Sequence, residues 1–538
     1  MDRTTTTRAA TRPPATTAAG AAPRRATAAT AAPGAPGAAP AALRERAARV
    51  LAANWTGTST VPSRELYPHQ WSWDSAFIAI GLRHLSPLRA QLELETLLSA
   101  QWADGRVPHI VFNPSVPLDA YFPSPDFWRS TTAGRAAGAP GGAQTSGIVQ
   151  PPVHALAAWL VHLADPGLSR ARSFLPRLHP RLAAWHRFLL HHRDLGGAGL
   201  AAVVHPWEQG MDNSPCWDAP LSRVAPARAR TFRRADLDHG SPQDRPTDLD
   251  YGRYVRLAAD YRDGGYGAGA GPGGAGAEVA LGASGFAVED PSFNALLIAS
   301  EHALARITGE LGVPATARHE RAERLTRALV ERLWDPADGI FRCRDLLAGG
   351  AHAGGGGPSP EGPPAAERPP TAEGALVAER GVTGLVPLVL PGLPRDIAAA
   401  LVRTACGPHF ELGGRARLVP SHDLLSPAFD PQRYWRGPAW FNTNWLLERG
   451  LRLHGERERA DLLRAALLDT ALTSEFAEYV DPYTGAGCGA RGFSWSAALA
   501  LDLSVHGDVG GRGDVGVGVG VHRDTTAGPG SDEGARND

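Results

Sequence analysis

Apolar residues recur at three- and four-residue spacing along most of this 538-residue chain. Such spacing places apolar side chains on one face of an α-helix, so it predicts many amphipathic helices. The pattern runs through stretches that begin at Ala42, Val153, Ser173, Pro291, Arg318, Arg395, Trp440, Glu458 and Ser494. Strand-like alternation is scarce, and neither a GxGxxG nor a Walker loop is present. Nucleotide-binding α/β folds are therefore disfavoured.

Long, aromatic-rich loops join these predicted helices. Many helices connected in this way favour stacked helical hairpins, most simply closed into an α/α toroid. An open α-solenoid is the alternative, but it requires a repeat of fixed period, and the sequence contains none. With 43% hydrophobic residues the chain is able to bury a large core, so we predict an all-α fold.

Low-complexity segments flank and interrupt the helical pattern. Residues 1–41 and 507–538 contain too few large apolar residues to offset the entropy of ordering, which predicts disordered tails. They bracket one helical domain over residues 42–506. Two Gly- and Pro-rich segments, about 262–278 and 348–374, lie between helical patterns that resume on both sides. We interpret them as flexible surface insertions and not as linkers between domains.

Charge and cysteine content exclude several classes of partner. The formal net charge of −1 offers no broad field that would recruit nucleic acid or an anionic membrane. The four cysteines are far apart and form no CxxC pair, which argues against a zinc site or a disulfide framework. We therefore predict a cytoplasmic protein with a small-molecule partner, and a homo-oligomer stays open. Arg24 and Arg25 precede a segment too rich in Pro and Gly for a signal peptide, which makes export the lesser alternative.

Tryptophan is almost as frequent as phenylalanine, 14 residues against 15, and much of it lies in loops beside carboxylates. Such loops are suited to sugars, because sugar C–H faces stack on aromatic rings while polar side chains bond the hydroxyls. The first cluster, ELYPHQWSWDSAF, contains Tyr67, Trp71, Trp73 and Asp74. Because Asp74 is close to a predicted helix start, a capping or first-turn role is the structural alternative for it.

The second cluster, HPWEQGMDNSPCWD, holds three carboxylates. Its NSP sequence predicts a helix capped by Ser214 with Pro215 at the first position, which leaves Asp212 on the loop just outside. Apolar neighbours raise the pKa of such a carboxyl group and suit it to act as a general acid. A turn-stabilising role is the alternative. Glu208 is a candidate substrate contact, whereas Asp218 is better placed to complement the helix dipole.

The third cluster consists of FDPQRYWRGPAWFNTNW and EFAEYVDPYTGAGCGARGFSW. Tyr434, Trp435 and Trp440 lie in a loop that enters a helix, and Glu478 begins a turn segment rich in Pro and Gly. An isolated glutamate is usually a solvated surface charge, but here aromatic residues surround it in sequence. Asp212 and Glu478, on separate loops, could face each other across a cleft, which is the arrangement that glycoside hydrolysis uses.

Four motifs in order, YPHQWSWDSAF, QGMDNSPCWD, YWRGPAWFNTNW and EYVDPYTGAGCGARGFSWSAAL, resemble glycoside hydrolase family 63. Within it, the chain is most similar to the small bacterial branch of mannosylglycerate and glucosylglycerate hydrolases, from about Ala42 to Val505. The resemblance implies an (α/α)6 barrel, inversion at the anomeric carbon and no metal or organic cofactor. It also implies that Asp212 is the general acid and Glu478 the general base.

The resemblance further implies a sugar-binding pocket in which Asp74 bonds sugar hydroxyls. The other implied pocket residues are Tyr67, Trp71, Trp73, Tyr121, Gln150, Tyr434, Trp435 and Trp440. In RPTDLDYGRY, Arg245 and Tyr251 match the pair found in the branch that cleaves glycerate glycosides. An arginine suits the glycerate carboxylate, because it offers paired, charge-assisted hydrogen bonds. Without the resemblance, Arg245 would be interpreted as a surface residue of a polar loop.

These observations favour an inverting hydrolase of glucosylglycerate or mannosylglycerate, with the choice of sugar left open. An α-glucosidase or trehalase-like enzyme for neutral oligosaccharides, on the same fold, is the alternative. A non-catalytic carbohydrate-binding protein is disfavoured, because both acids of the two catalytic motifs are intact.

Overall fold

The computed structural model describes residues 38–228, 232–238, 241–267, 285–349 and 373–505. The predicted C-terminal tail and nearly all of the predicted N-terminal tail and the second insertion lie outside these residues. The first helix begins at Ala38, before the predicted domain boundary at residue 42.

Helices make up most of the described structure, and every stretch with predicted helical spacing lies in one. They are α1 (Ala38–Ala53), α2 (Ser72–Leu82), α3 (Pro87–Ser99), α4 (Pro125–Trp128), α5 (His154–Ala164), α6 (Pro166–Ala171), α7 (Phe174–His192), α8 (Pro206–Gln209), α9 (Asp218–Leu221), α10 (Asp248–Asp263), α11 (Pro291–Glu310), α12 (Thr316–Leu333), α13 (Arg395–Cys406), α14 (Phe441–Leu453), α15 (Arg457–Thr473) and α16 (Ser494–Val505). The predicted all-α class therefore agrees with the mostly helical structure.

Pairs of helices pack as hairpins with an inner and an outer member. In α2 every residue is buried, whereas its partner α3 buries one face only. The same difference separates α11 from α12 and α14 from α15. The inner segments also contact one another in a cycle, in the order α2, α5, α11, the 3-10 turn Val386–Val389, α14 and α16, and α16 returns to α2. The first and last helices of the described structure are also in contact, since α1 packs on α16.

Short antiparallel strands, each of two residues, fix the loops at the helix starts. They are β1 (Gln70–Trp71) with β2 (Ile110–Val111); β3 (Ala202–Val203), β4 (Val288–Glu289), β7 (Arg344–Asp345) and β8 (Ala375–Leu376) in this order; β5 (Trp334–Asp335) with β6 (Ile340–Phe341); and β9 (Ala439–Trp440), β10 (Tyr479–Val480) and β11 (Gly487–Cys488) around a central β10. Strands β1 and β9 lead directly into α2 and α14, so pairing of these strands positions the first turns of those helices.

The start of the first predicted insertion belongs to the folded structure. Helix α10 continues to Asp263, and Tyr266 is fully buried with its ring centroid 5.1 Å from that of Trp102. Gly147 makes room for this ring, because a Cβ at that position would lie 2.1 Å from a Tyr266 ring atom. Tyr266 thus packs into the fold although Asp263, Gly264 and Gly267 are exposed, and residues 268–284 lie outside the described part.

Across the described ranges, no helix combines the length and apolar character needed to cross a membrane. All four cysteines are free thiols, in agreement with the absence of CxxC pairs in the sequence. In the same ranges, no group of His, Cys, Asp and Glu side chains is arranged to hold a metal ion.

Candidate active site

Loops from distant parts of the chain enclose a pocket of about 90 Å³. Most of the residues that the sequence analysis assigned to a sugar site line it. They are Tyr67, Trp71, Trp73, Asp74, Tyr121, Gln150, Asp212, Arg245, Tyr251, Tyr434 and Glu478. The pocket therefore brings together two candidate catalytic carboxylates, several aromatic rings and one arginine.

Asp212 lies on a loop that the local sequence holds at several points. Ser214 caps the 3-10 helix Pro215–Trp217 by accepting a hydrogen bond from the Cys216 N–H, as the NSP sequence predicts. The Trp217 indole donates to the Met211 carbonyl at 2.8 Å. The Tyr254 hydroxyl donates to the carbonyl of Asp212 itself at 2.6 Å. These bonds anchor the backbone and leave the Asp212 carboxyl group on the pocket wall.

The surroundings of Asp212 favour its protonated form. Burial among protein atoms raises the pKa of the Asp212 carboxyl group to about 8. The Arg245 charge opposes this shift, and the negative charge of Glu478 adds to it. Because a carboxylic acid with this pKa keeps its proton at neutral pH, Asp212 has the protonation state that a general acid needs.

Glu478 is almost fully buried, and its carboxylate oxygens have separate partners. The Tyr67 hydroxyl donates to Oε1 at 2.8 Å, and the Ala490 N–H donates to Oε2 at 3.1 Å. Burial is the largest influence and raises the pKa of Glu478 overall, whereas the Arg245 charge and both hydrogen bonds act in the opposite direction. Donors directed at both oxygens stabilise the ionised form, which a general base requires.

Arg245 occupies the centre of the pocket wall and is only 7% exposed, so its interpretation as a surface residue is wrong. Its Nη1 donates to the Tyr67 hydroxyl at 3.0 Å, and its Nη2 is 3.9 Å from Glu478 Oε2. The guanidinium carbon lies 4.6 Å from the ring centroid of Tyr434, a cation–π distance. A buried cation next to the candidate catalytic carboxylates makes this side of the pocket suited to an anionic group.

Helix α10, which the sequence analysis did not predict, positions Tyr251 in the same region. Thr247 caps this helix by accepting a hydrogen bond from the Asp250 N–H. Tyr251 lies one turn further along and donates from its hydroxyl to the Phe122 carbonyl at 3.2 Å. Arg234 covers the Tyr251 ring with its guanidinium carbon 4.4 Å from the centroid. The charged residues of this helix obscure its spacing in sequence, although Tyr251, Tyr254, Val255 and Ala258 lie at positions i, i+3, i+4 and i+7.

The first cluster forms part of the pocket wall through strand β1 and the first turn of α2. Tyr67 and Tyr121 each contact the Trp71 ring edge to face, with centroids 5.4 and 5.2 Å apart. The Gln150 side-chain oxygen accepts a hydrogen bond from the Trp73 N–H at 3.2 Å. Asp74 lies in the first turn of α2, so its proposed helix-dipole role is compatible with its position on the pocket wall. Burial raises the pKa of Asp74 well above its usual value.

Two predicted pocket residues, Trp435 and Trp440, lie behind the pocket and do not line it. Their rings stack in parallel with centroids 3.8 Å apart, and Trp440 also stacks on Tyr479 at 4.7 Å. The strand register explains this position, because Trp440 pairs with Tyr479 and side chains of opposite residues share one face. Both tryptophans thus support Tyr434, whose ring lies 5.1 Å from Trp440.

Glu208 does not line the pocket, which contradicts its candidacy as a substrate contact. It is fully buried in an ion pair with Arg193 and accepts hydrogen bonds from the N–H groups of Val149 and Val204. The carboxylate therefore holds neighbouring loops together. Asp218 begins helix α9, as its predicted dipole role requires, and also pairs with Arg436.

His109 and Asp236 line the pocket but were not predicted from the sequence. His109 reaches the pocket because β2 pairs with β1, and its carbonyl accepts a hydrogen bond from the Ser72 N–H at 3.0 Å. Asp236 is held by Arg234, whose Nη2 is 2.6 Å from Asp236 Oδ2. Neither residue belongs to an aromatic cluster, so the pattern that identified the other pocket residues gives no signal for them.

Comparisons with known proteins identify the family of this chain. The family described as the mannosylglycerate hydrolase MGH1-like glycoside hydrolase domain matches residues 67–496. The mannosylglycerate hydrolase of Rubrobacter radiotolerans is 39% identical over 470 residues, which cover 86% of this chain and 96% of that protein. The glucosylglycerate hydrolase of Mycolicibacterium hassiacum is 38% identical over 479 residues, or 86% of this chain and 98% of that protein.

A solved structure leads to the same assignment. The crystal structure of a family 63 mannosylglycerate hydrolase from Thermus thermophilus, in complex with Tris and D-glycerate, superposes with a TM-score of 0.73. It is 37% identical in sequence and covers 86% of this chain and 100% of its own. The resemblance predicted from the motifs is confirmed. This chain is a glycoside hydrolase and belongs to the mannosylglycerate hydrolase MGH1-like branch of glycoside hydrolase family 63.

Proposed function

We propose that this enzyme hydrolyses glucosylglycerate or mannosylglycerate to the free sugar and glycerate, with inversion at the anomeric carbon. The observation that carries the proposal is the buried Arg245, which lies in the same pocket as Asp212 and Glu478. Glu478, 3.9 Å away, partly balances the Arg245 charge, and the carboxylate of glycerate would add a charge-assisted partner that a neutral sugar lacks. The relatives that cleave glycerate glycosides support the same substrate class.

In the proposed reaction, protonated Asp212 donates its proton to the glycosidic oxygen. Ionised Glu478 takes a proton from a water molecule, which attacks the anomeric carbon from the opposite face of the sugar. Inverting enzymes hold the two carboxyl groups about 6.5–9.5 Å apart to leave room for this water. Burial raises the pKa of both carboxyl groups, but Glu478 is set apart by the Arg245 charge and by hydrogen bonds from Tyr67 and the Ala490 N–H, which favour its ionised form. The mechanism calls for no metal or organic cofactor.

We further propose that the helices form an (α/α)6 barrel. The cycle of contacts among the inner segments, from α2 through α16 and back to α2, supports this architecture. An open solenoid would leave its first and last inner helices apart. In the proposed barrel the pocket lies at one end, where the loops before α2, α14 and α16 meet.

The remaining pocket side chains divide by chemistry between the two parts of the substrate. Asp74, Trp73 and Gln150 are proposed to hold the sugar, since a carboxyl group, an indole and an amide suit hydroxyls and C–H faces. Arg245 and Tyr251 are proposed to hold the glycerate. Tyr67 touches both Arg245 and Glu478, so it links recognition of the carboxylate to the catalytic base.

Stereochemistry gives a direct test of the reaction type. We expect an α-linked glucosylglycerate to release β-glucose first, because water attacks opposite the leaving group. Proton NMR of the anomeric signals during the first minutes of hydrolysis measures this outcome before mutarotation blurs it. Initial release of α-glucose would instead require two displacements and would remove the inverting mechanism.

Arg245→Ala tests recognition of the carboxylate. We expect the preference for glucosylglycerate over the matched neutral substrate glucosylglycerol, taken as a ratio of kcat/KM, to fall about 10- to 100-fold, since a hydrogen bond to a charged group contributes about 1.5–3 kcal/mol. The ratio is the relevant quantity, because Arg245 also contacts Tyr67 and Glu478 and its loss affects both substrates. An unchanged ratio would favour the neutral-oligosaccharide alternative.

A further inference from the structure

A second cavity, of about 570 Å³, adjoins the pocket on the side of Glu478. The end of helix α1, residues 63–66 and the loop 489–492 form its walls. Arg245 and Leu66 line both this cavity and the sugar pocket, so the two spaces share a wall. Exposed side chains, among them Ala53 and Ser241, lie along the second cavity and connect it with the protein surface.

Gly489 brings this cavity close to the carboxylate of Glu478. It lines the cavity, and a Cβ built on it would lie only 2.4 Å from Glu478 Oε2. Its φ of +66° is a conformation that glycine adopts without strain. Any side chain here would separate the carboxylate from the cavity or displace it. Glu478 thus lies between the sugar pocket, which it lines, and a larger space behind it.

Hydrolysis consumes water, and the sugar pocket alone offers a poor route for that water while substrate is bound. The sugar pocket is the smaller of the two spaces, about 90 Å³ against about 570 Å³, and it holds the glycoside during each turnover. Each turnover nevertheless consumes one water, which must reach the face of the sugar opposite Asp212, next to Glu478. A route through the substrate entrance is obstructed for as long as substrate or product fills it.

We propose that the second cavity is the route by which the hydrolytic water reaches Glu478. This inference rests on the proposed function. The water oxygen bonds to the anomeric carbon as its proton passes to Glu478, and the glycosidic bond breaks as Asp212 protonates the leaving oxygen. Glu478 then loses its proton and Asp212 regains one, so one water is consumed per turnover. Arg245, held by Tyr67 and Tyr434, forms the wall past which the water moves.

Narrowing the cavity tests the proposal. Ala53→Trp and Ser241→Trp place indoles on two different parts of its wall, away from both catalytic carboxylates. We expect the double variant to lower kcat at least fivefold, with KM and inhibition by free glucose unchanged, because supply of water and not sugar binding is impaired. Ala52→Trp is the matched control, since Ala52 is exposed on the same helix but lines neither cavity, and it should retain wild-type kcat.

Other outcomes overturn the proposal. An unchanged kcat in the double variant would show that water arrives by another path. A raised KM with unchanged kcat would identify the cavity as a path for substrate. If the wild-type enzyme cleaved no glycerate glycoside but another glycoside, the proposed substrate would be wrong, and the same variants compared on the cleaved glycoside would still decide the water route.

Discussion

Asp212→Asn is expected to lower kcat for a glycerate glycoside by about 10²- to 10⁴-fold, the usual contribution of a general acid. The amide has nearly the same shape but no proton of suitable acidity for the leaving oxygen. The wild-type enzyme should also lose activity as pH rises through about 8, where the Asp212 carboxyl group gives up its proton. This basic limb of the profile of kcat/KM against pH should be absent in the variant.

The leaving group provides the control for this prediction. A glycosyl fluoride needs little help from an acid, so Asp212→Asn should hydrolyse it far better, relative to wild type, than it hydrolyses a glycerate glycoside. Asp218→Asn is the matched variant in the same segment, because Asp218 pairs with Arg436 and does not line the pocket. Retention of more than a tenth of the wild-type rate by Asp212→Asn would remove it from the role of acid.

Glu478→Gln is expected to reduce kcat by a similar factor of about 10²–10⁴, since the amide accepts no proton from the attacking water. The amide oxygen can keep one of the two donors, Tyr67 or the Ala490 N–H, while the other side-chain contacts of the pocket are unchanged, so the fold and sugar binding should persist. Product inhibition by glucose and the thermal unfolding midpoint check that persistence. The loss should appear in kcat and much less in KM.

A small anion distinguishes a missing base from a distorted pocket. Azide attacks without losing a proton, so it should restore part of the turnover of Glu478→Gln and none of that of Asp212→Asn. Glu475→Gln is a suitable control, because Glu475 is exposed near the same loop and does not line the pocket. A Glu478→Gln enzyme with more than a tenth of wild-type activity would contradict the assignment of the base.

Sequence periodicity predicts the main helices because each of them buries either one face or nearly its whole surface over many residues. The NSP sequence likewise predicts the local structure around Asp212, since a cap and a proline act within a few residues. Helix α10 does carry helical spacing in Tyr251, Tyr254, Val255 and Ala258, but the charged residues between them obscure it. Burial of Arg245 depends on Tyr67 and Tyr434 from distant loops. Local signals predict local structure, whereas contacts across the fold decide the surroundings of a charge.

Aromatic clusters predict the location of the site better than the position of each ring. Trp435 and Trp440 belong to the right loop, but the register of β9 with β10 places them behind Tyr434. The role of Glu208 is likewise not evident from its sequence neighbours. It lies in the same segment as Asp212, but its ion-pair partner Arg193 comes from the end of α7. Pairing partners of this kind are not visible in sequence spacing.

The central claim is that this enzyme cleaves a glycoside of glycerate. The most direct test is to measure glucose and mannose released by the wild-type enzyme from glucosylglycerate and mannosylglycerate, beside trehalose and an α-glucobiose, near pH 6. We predict cleavage of at least one glycerate glycoside with a kcat/KM well above that for either neutral disaccharide. Cleavage of the neutral disaccharides alone would contradict the claim and assign Arg245 another role.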